Sequence, residues 1–298
     1  MHLNPSFISN VRDIHGEGGE TWLKDLPFQI NHLSQKWDFG FLKPMPTLSY
    51  HFVGLIHLNS TGKTAILKIS PEEGSLAREI KWLNLIHHGA PKVYHHDEKM
   101  TAFLMEHLNP GETLKSLVRR GEDDQATRII CKTILELQSE KSSGFEFQHL
   151  SELQGSLAIL KGKFDEKLLY EAQSLFAALT TDRNQDVLLH GDLHHDNILS
   201  NGSDWKVIDP HGYVGDPVAD VGVMIRNPFD FFPKERSLPA TIERRLQILA
   251  EELPFDPQRI KAWAFCMTVL SAAWTVEGHG RPTDHEIAVA YAIQQTRI

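Results

Sequence analysis

Residues 188–222 read LLHGDLHHDNILSNGSDWKVIDPHGYVGDPVADVG, and the reading of the first twelve decides the fold. Two aspartates, an asparagine and three histidines are packed between apolar runs: His190, Asp192, His194, His195, Asp196 and Asn197. VLL (187–189), NILS (197–200) and WKVID (205–209) have the length and apolar content of short strands, and NGSD (201–204) is a hairpin turn between the last two. The polar cluster therefore sits on a passage from strand to loop to strand. Metal ligation, acid–base chemistry and loop solvation each account for such a cluster in isolation.

Zinc would be served by the three imidazoles. The spacing, however, is not that of two histidines one helical turn apart with a glutamate on the same face, and the segment is not a helix. The paired histidines elsewhere, His87–His88 and His95–His96, carry no carboxylate pattern around them. Phosphoryl transfer makes fuller use of the residues. The spacing H-x-D-x4-N places Asp192 and Asn197 on one loop, and twelve residues later Asp209 closes a strand. A carboxylate can take the acceptor hydroxyl's proton, and an amide oxygen with a second carboxylate suits a hard cation such as Mg²⁺.

That chemistry also needs a cation for the nucleotide phosphates, and the first hundred residues offer one. YHFVGLIHL (50–58) and TAILKIS (64–70) read as strands around the turn NSTGK, and PEEGSLAREIKWLNLIHHGA (71–90) as a helix with Ser75 as N-cap and Gly89 as stop. Glu79 lies on the apolar stripe Leu76, Ile80, Leu83, and Lys68 lies on the strand before it. Both side chains are long enough to reach water, but an inward carboxylate and an inward ammonium would have to pair. Lysine, glutamate, Asp-x4-Asn and aspartate thus occur in the order, and on the elements, that kinase chemistry requires.

The 298 residues carry a net charge of −9, and the excess is uneven: ten Lys and Arg against eleven Asp and Glu over residues 1–108, but twenty against twenty-eight over 109–298. Such a balance disfavours nucleic acid and tolerates a cationic small ligand. The two cysteines, Cys131 and Cys266, form no CxxC pair. The most apolar stretch, WAFCMTVLSAAWTV (263–276), is fourteen residues long, short of the roughly 20 a membrane span needs. With no signal-peptide pattern at the N-terminus, the expected location is cytoplasmic, without a membrane partner. After LNPGETL (108–114), helical periods take over: Ala126, Ile129, Ile130, Ile134 and Leu137, then Leu168, Ala172, Leu175, Phe176 and Leu179. The expectation is an α+β, bilobal chain, with a strand-rich lobe over 1–108 and a larger helical lobe over 109–298.

In these stretches, together with AILKISPEEGSLAREIKWL (65–83), LMEHLNPGETL (104–114) and IKAWAFCMTVLSAAW (260–274), the chain resembles the aminoglycoside and hydroxyurea antibiotic resistance kinases, within the protein-kinase-like small-molecule phosphotransferases. Glycine within His-Gly-Asp, and Asp-Pro at 209–210, separate this group from protein kinases. The resemblance implies a protein-kinase-like fold, ATP and Mg²⁺ as cofactors, and a small-molecule hydroxyl acceptor of cationic, streptomycin-like type, with the chain a monomer or weak dimer. It implies Asp192 as catalytic base, Asn197 and Asp209 as magnesium ligands, Lys68 on the phosphates and Glu79 holding Lys68. Met105 would lie behind the adenine, with backbone groups of Glu106 and Leu108 as its partners, and Asp220 would brace the catalytic loop.

A glycine-rich loop is expected over the phosphates, yet PTLSYHFVG (46–54) has one glycine, at its end, which leaves Ser49 as the candidate contact. STGKT (60–64) imitates a phosphate-binding motif, but its first glycine position is His57. Asp216, Asp230, Glu277, Asp284 and His211 are candidates for the acceptor's surroundings. The same chemistry on a sugar or amino alcohol, and a non-catalytic binding protein on the same fold, remain alternatives.

Overall fold

In a computed structural model that describes residues 2–138, 146–229 and 231–298, the chain divides into two units, Met1–Asn109 and Pro110–Ile298. The first unit opens with α1 (Pro5–Trp37), capped by the Asn4 side chain on the Ser6 N–H and bent at Gly16, whose φ of 55° and ψ of −133° are not helical. Phe7, Val11, Trp22, Leu26, Ile30, Leu33 and Trp37 form its buried stripe.

An antiparallel sheet follows, in the order β1-β2-β3-β5-β4: β1 (Phe39–Pro44), β2 (Phe52–Leu58), β3 (Thr64–Ile69), β4 (Val93–Asp97) and β5 (Ala102–Glu106). Phe39, Phe52, Ile56, Ala65, Leu67, Ile69, Ala102 and Leu104 from the sheet pack on the α1 stripe as one core. The strand period of two sends one set of side chains into that core and leaves Lys68, between Leu67 and Ile69, directed to the other side.

α2 (Ala77–Leu85) is shorter than its sequence suggests. Ser75 does not cap it: its hydroxyl donates to the Glu72 carbonyl and to Ser70 Oγ, and Leu76 takes the cap position without a side-chain bond. The helix ends at Ile86, before Gly89, whose positive φ belongs to the turn beyond. The STGKT stretch is the β2–β3 turn, closed by the Leu58 N–H to the Lys63 carbonyl at 2.8 Å.

The second unit begins with β6 (Pro110–Thr113), α3 (Lys115–Arg119) and α4 (Asp123–Gln138), then a 3-10 segment (Leu150–Leu160) and α5 (Glu166–Leu179). Four short strands frame the polar loop: β7 (Val187–Leu189), β8 (Ile198–Asn201), β9 (Asp204–Val207) and β10 (Tyr213–Gly215). β6, β8 and β9 make one antiparallel sheet, and β7 pairs with β10. α6 (Val221–Ile225), α7 (Leu238–Glu252), α8 (Pro257–His279) and α9 (Asp284–Gln295) complete the unit. α8 contains the apolar run read from the sequence, and Trp263 through Ala273 are buried without a break. Among the described residues no helix is long and apolar enough to cross a membrane.

Arg245 of α7 is fully buried and ties this unit together. It forms a bidentate pair with Asp123 of α4 and donates to the carbonyls of Met224, Ile225 and Asn227 at the end of α6.

Candidate active site

In the first unit, Lys68 and Glu79 are both buried, at 3% and 6% exposure, and Lys68 Nζ donates to Glu79 Oε1 at 2.9 Å and Oε2 at 2.7 Å. Burying two charges is costly unless the geometry is good, and here each charge meets its opposite at hydrogen-bond distance. Met105 is buried on β5 opposite Ile66. Glu106 ends that strand, with its N–H given to the Lys92 carbonyl at 2.9 Å, which leaves its carbonyl as the backbone group for an adenine edge. Leu108 is buried just beyond, and its N–H makes no hydrogen bond within the described residues. Ser49 is exposed on the β1–β2 connection, where its carbonyl accepts from Asn10 Nδ2.

In the second unit, the loop from His190 to Asn197 is fixed at both ends. Asp220 is buried and accepts both leading amides: the His190 N–H on Oδ2 and the Gly191 N–H on Oδ1, each at 2.8 Å. The His211 and Gly212 N–H groups close on the His190 carbonyl. The buried His190 ring accepts the Asp192 N–H on Nδ1 and meets the Ile208 carbonyl with Nε2 at 3.0 Å, so it holds the loop's shape. Burial lowers its pKa to about 4, offset in part by the Asp192 charge.

Gly191 adopts φ +83°, and a Cβ there would lie 2.5 Å from the Tyr213 ring. That explains glycine between His190 and Asp192. Gly191→Ala should destabilise the protein by about 1–3 kcal/mol through strain and overpacking, which chemical denaturation would measure.

Burial raises the Asp220 carboxyl to about 6, further aided by Asp192, although the His190 and Gly191 amides pull the other way. The folded state thus binds this proton more tightly than the unfolded chain. Its contribution is fully present below the ordinary 3.8 and is lost as pH rises through about 6. Asp220→Asn should therefore flatten the fall in stability across that window, seen by comparing Tm against pH for the two proteins. It should also cost about 1–3 kcal/mol at neutral pH, because an amide cannot accept both N–H groups equally.

Asp192 is half-buried, with its carboxylate in reach of three side chains. Asn197 Nδ2 donates to the Asp192 carbonyl at 3.0 Å and to Oδ2 at 3.2 Å, while His194 Nε2 lies 3.4 Å and His211 Nε2 3.9 Å from the same Oδ2. Burial would raise this carboxyl, but the His194 hydrogen bond and the positive field of His194, His211 and Arg226 outweigh it and hold Asp192 well below the usual carboxylate range. Asn197 turns its amide nitrogen to Asp192, and its Oδ1 receives no donor from the described residues.

The register Ile198↔Val207 and the Ile208 N–H to Asn197 carbonyl bond (2.9 Å) set Asp209 just beyond Asn197 across the hairpin. Asp209 is exposed at φ +58°, left-handed for a residue that precedes proline, a local cost of the kind stored at functional positions. An amide oxygen and a carboxylate are the donor set Mg²⁺ takes when substrate phosphates and water supply the rest. The residues fit that ion.

His195 is fully buried, with neither ring nitrogen hydrogen-bonded within the described residues, and burial keeps its pKa well below the ordinary value. Of the acids proposed for the acceptor's surroundings, Asp216 is consumed internally. It is buried and accepts from Arg259, from Trp263 Nε1 and from the Val218 N–H. Glu277 and Asp284 are exposed, and Asp230 lies outside the described residues. Sequence reading missed Glu286, fully buried on α9, where Ser271, Thr275 and Thr283 all donate to it.

A lysine–glutamate pair on strand and helix, and an aspartate–asparagine loop leading into a hairpin that ends in aspartate, define a protein-kinase-like phosphotransferase. Solved structures agree on the fold. A choline/ethanolamine kinase family protein from Mesorhizobium loti aligns with a TM-score of 0.62 at 16% identity, over 86% of this chain and 89% of that one. Aminoglycoside phosphotransferase APH(4)-Ia, in a ternary complex with ADP and hygromycin B, aligns with a TM-score of 0.60 at 13% identity, over 89% and 96%.

Residues 43–278 match the family described as aminoglycoside/hydroxyurea antibiotic resistance kinase, and the chain belongs to that family. Streptomycin 3''-kinase of Klebsiella pneumoniae is 31% identical over 87% of this chain and 96% of that protein. Streptomycin 6-kinase of Streptomyces glaucescens is 27% identical over 88% and 87%. The protein is a small-molecule kinase, a phosphotransferase with a hydroxyl acceptor.

Proposed function

We propose that the protein transfers the γ-phosphoryl group of ATP, with Mg²⁺, to a hydroxyl of streptomycin or a close aminoglycoside. The observation that carries this reading is the Asp192 carboxylate: ionised, half-open to solvent, on a loop held by Asp220, in a chain 31% identical to a streptomycin kinase.

Residues 1–108 act as the nucleotide-binding lobe and 109–298 as the catalytic and acceptor lobe. Lys68, kept in place by Glu79, holds the α- and β-phosphates. Met105 and Leu108 border the adenine, and Ser49 meets the phosphates where a glycine-rich loop would otherwise lie. Asn197 Oδ1 and the Asp209 carboxylate hold magnesium, which when bound neutralises phosphate charge as the phosphoryl group moves. Asp192 accepts the acceptor's hydroxyl proton and aims its oxygen at the γ-phosphorus. The surplus of acids over residues 109–298 supports a cationic acceptor.

The relatives named above phosphorylate two different hydroxyls of streptomycin by name, so the test is a panel assay with product NMR. ATP consumption with streptomycin and a phosphorus–carbon coupling on one ring position are expected. Turnover of a sugar or amino alcohol with aminoglycosides inert would replace the acceptor. A thermal shift with ATP and Mg²⁺ but no turnover would favour a binding protein.

A further inference from the structure

The two oxygens of the Asp192 carboxylate have different surroundings. Oδ2 takes the Asn197 amide at 3.2 Å and faces His194 Nε2 at 3.4 Å and His211 Nε2 at 3.9 Å, whereas Oδ1 has no donor among the described residues. His194 is itself held. The Asp196 N–H donates to its Nδ1 at 3.2 Å, which fixes the ring with its Nε2 edge turned to Asp192 Oδ2 at 3.4 Å. A terminal carboxylate torsion is broad and nearly two-fold, so an Asp with one weak donor exchanges its oxygens readily. Here the Asn197 donor and the His194 ring edge, from different points of the loop, both sit against Oδ2 and oppose that exchange.

We infer that His194 is a positioning residue that, together with Asn197, pins Oδ2 of Asp192 and thereby presents Oδ1 to the acceptor hydroxyl. This rests on the proposed role of Asp192 as base. In the transfer step the acceptor O–H bond breaks and its proton passes to Oδ1. The acceptor oxygen bonds to the γ-phosphorus, and the bridging P–O bond breaks with its electron pair leaving on ADP. His194 takes no proton in this step. It sets which lone pair is offered and in what direction, and a misplacement of that kind costs up to about 100-fold in rate.

The test compares wild type, His194→Ala and His194→Gln in the full-length protein, with steady-state streptomycin phosphorylation, ATP hydrolysis without acceptor, and Tm. For His194→Ala a fall in kcat of about 10–100-fold is expected, with KM for ATP and Tm little changed. His194→Gln, whose side-chain amide can donate to Oδ2, should recover at least about a third of the lost rate on a logarithmic scale. Acceptor-free hydrolysis should fall much less than transfer, since water does not need one aimed oxygen. An unchanged kcat in His194→Ala would overturn the inference. So would a glutamine variant no better than alanine with KM for ATP raised to match, which would make His194 a nucleotide contact. A wild type inert towards every acceptor would instead remove the proposed function, and is seen before any variant is assayed.

Discussion

Asp192→Asn is expected to fold as the wild type does and to lose about 10²–10⁴-fold in kcat for streptomycin phosphorylation, with KM for ATP nearly unchanged. The asparagine oxygen can still accept from Asn197 in place of Oδ2 and lie beside His194, so the loop keeps its contacts and Tm should move by no more than a few degrees. What is lost is the second, ionised oxygen. A carboxylate held so far below its ordinary pKa is a weak base, and that limits what it does. It remains charged at any physiological pH and orients the hydroxyl, taking the proton as the phosphoryl bond forms. Steady-state kinetics at saturating ATP, with Tm alongside, reads this directly. A variant with full kcat would show that the hydroxyl needs no carboxylate here.

The second large effect falls on the first unit. Glu79→Ala leaves the Lys68 ammonium at 3% exposure without its carboxylate, and breaking one side of such a pair costs about 3–5 kcal/mol. Urea denaturation should show that loss as a lower midpoint, and KM for ATP should rise because Lys68 no longer has a fixed position. The double variant Lys68→Met with Glu79→Leu separates the two consequences: removing both charges restores much of the stability but none of the nucleotide binding. Recovery of ATP affinity in the double variant would contradict a phosphate-binding role for Lys68. Equal stability of wild type and Glu79→Ala would contradict the pairing as a stabilising contact.

The sequence carried the loop and the pair well, because each uses rules that work over a few residues. Strand length, a hairpin turn and the H-x-D-x4-N spacing located β7, β8, β9 and the residues between them. An aliphatic stripe interrupted by Glu79, beside a lysine on the preceding strand, signalled a buried pair. What stayed hidden depends on neighbours distant in sequence or on backbone geometry.

α1 is not evident in the sequence, although its stripe of Phe7, Val11, Trp22, Leu26, Ile30, Leu33 and Trp37 is regular; Gly16, Gly18 and Gly19 break the pattern and imitate a loop. β10 has three residues and exists because β7 lies beside it. Ser75 looks like a cap, but its hydroxyl goes to Ser70 and Glu72. Asp216 looks like a surface acid, yet Arg259 and Trp263, more than forty residues on, close around it. Glu286 reads as an ordinary N-terminal helix acid and is instead the buried acceptor for three hydroxyls. The left-handed backbone at Asp209 has no local sequence mark beyond the proline after it.

Transfer of label from γ-³²P-ATP to streptomycin, followed by mass analysis of the drug, tests the central claim most directly. Wild type should move the label into the antibiotic and add one phosphoryl group to its mass, and Asp192→Asn under the same conditions should leave the label almost wholly in ATP. Label remaining in the nucleotide with wild type, or passing to the drug at undiminished rate with Asp192→Asn, would contradict the account.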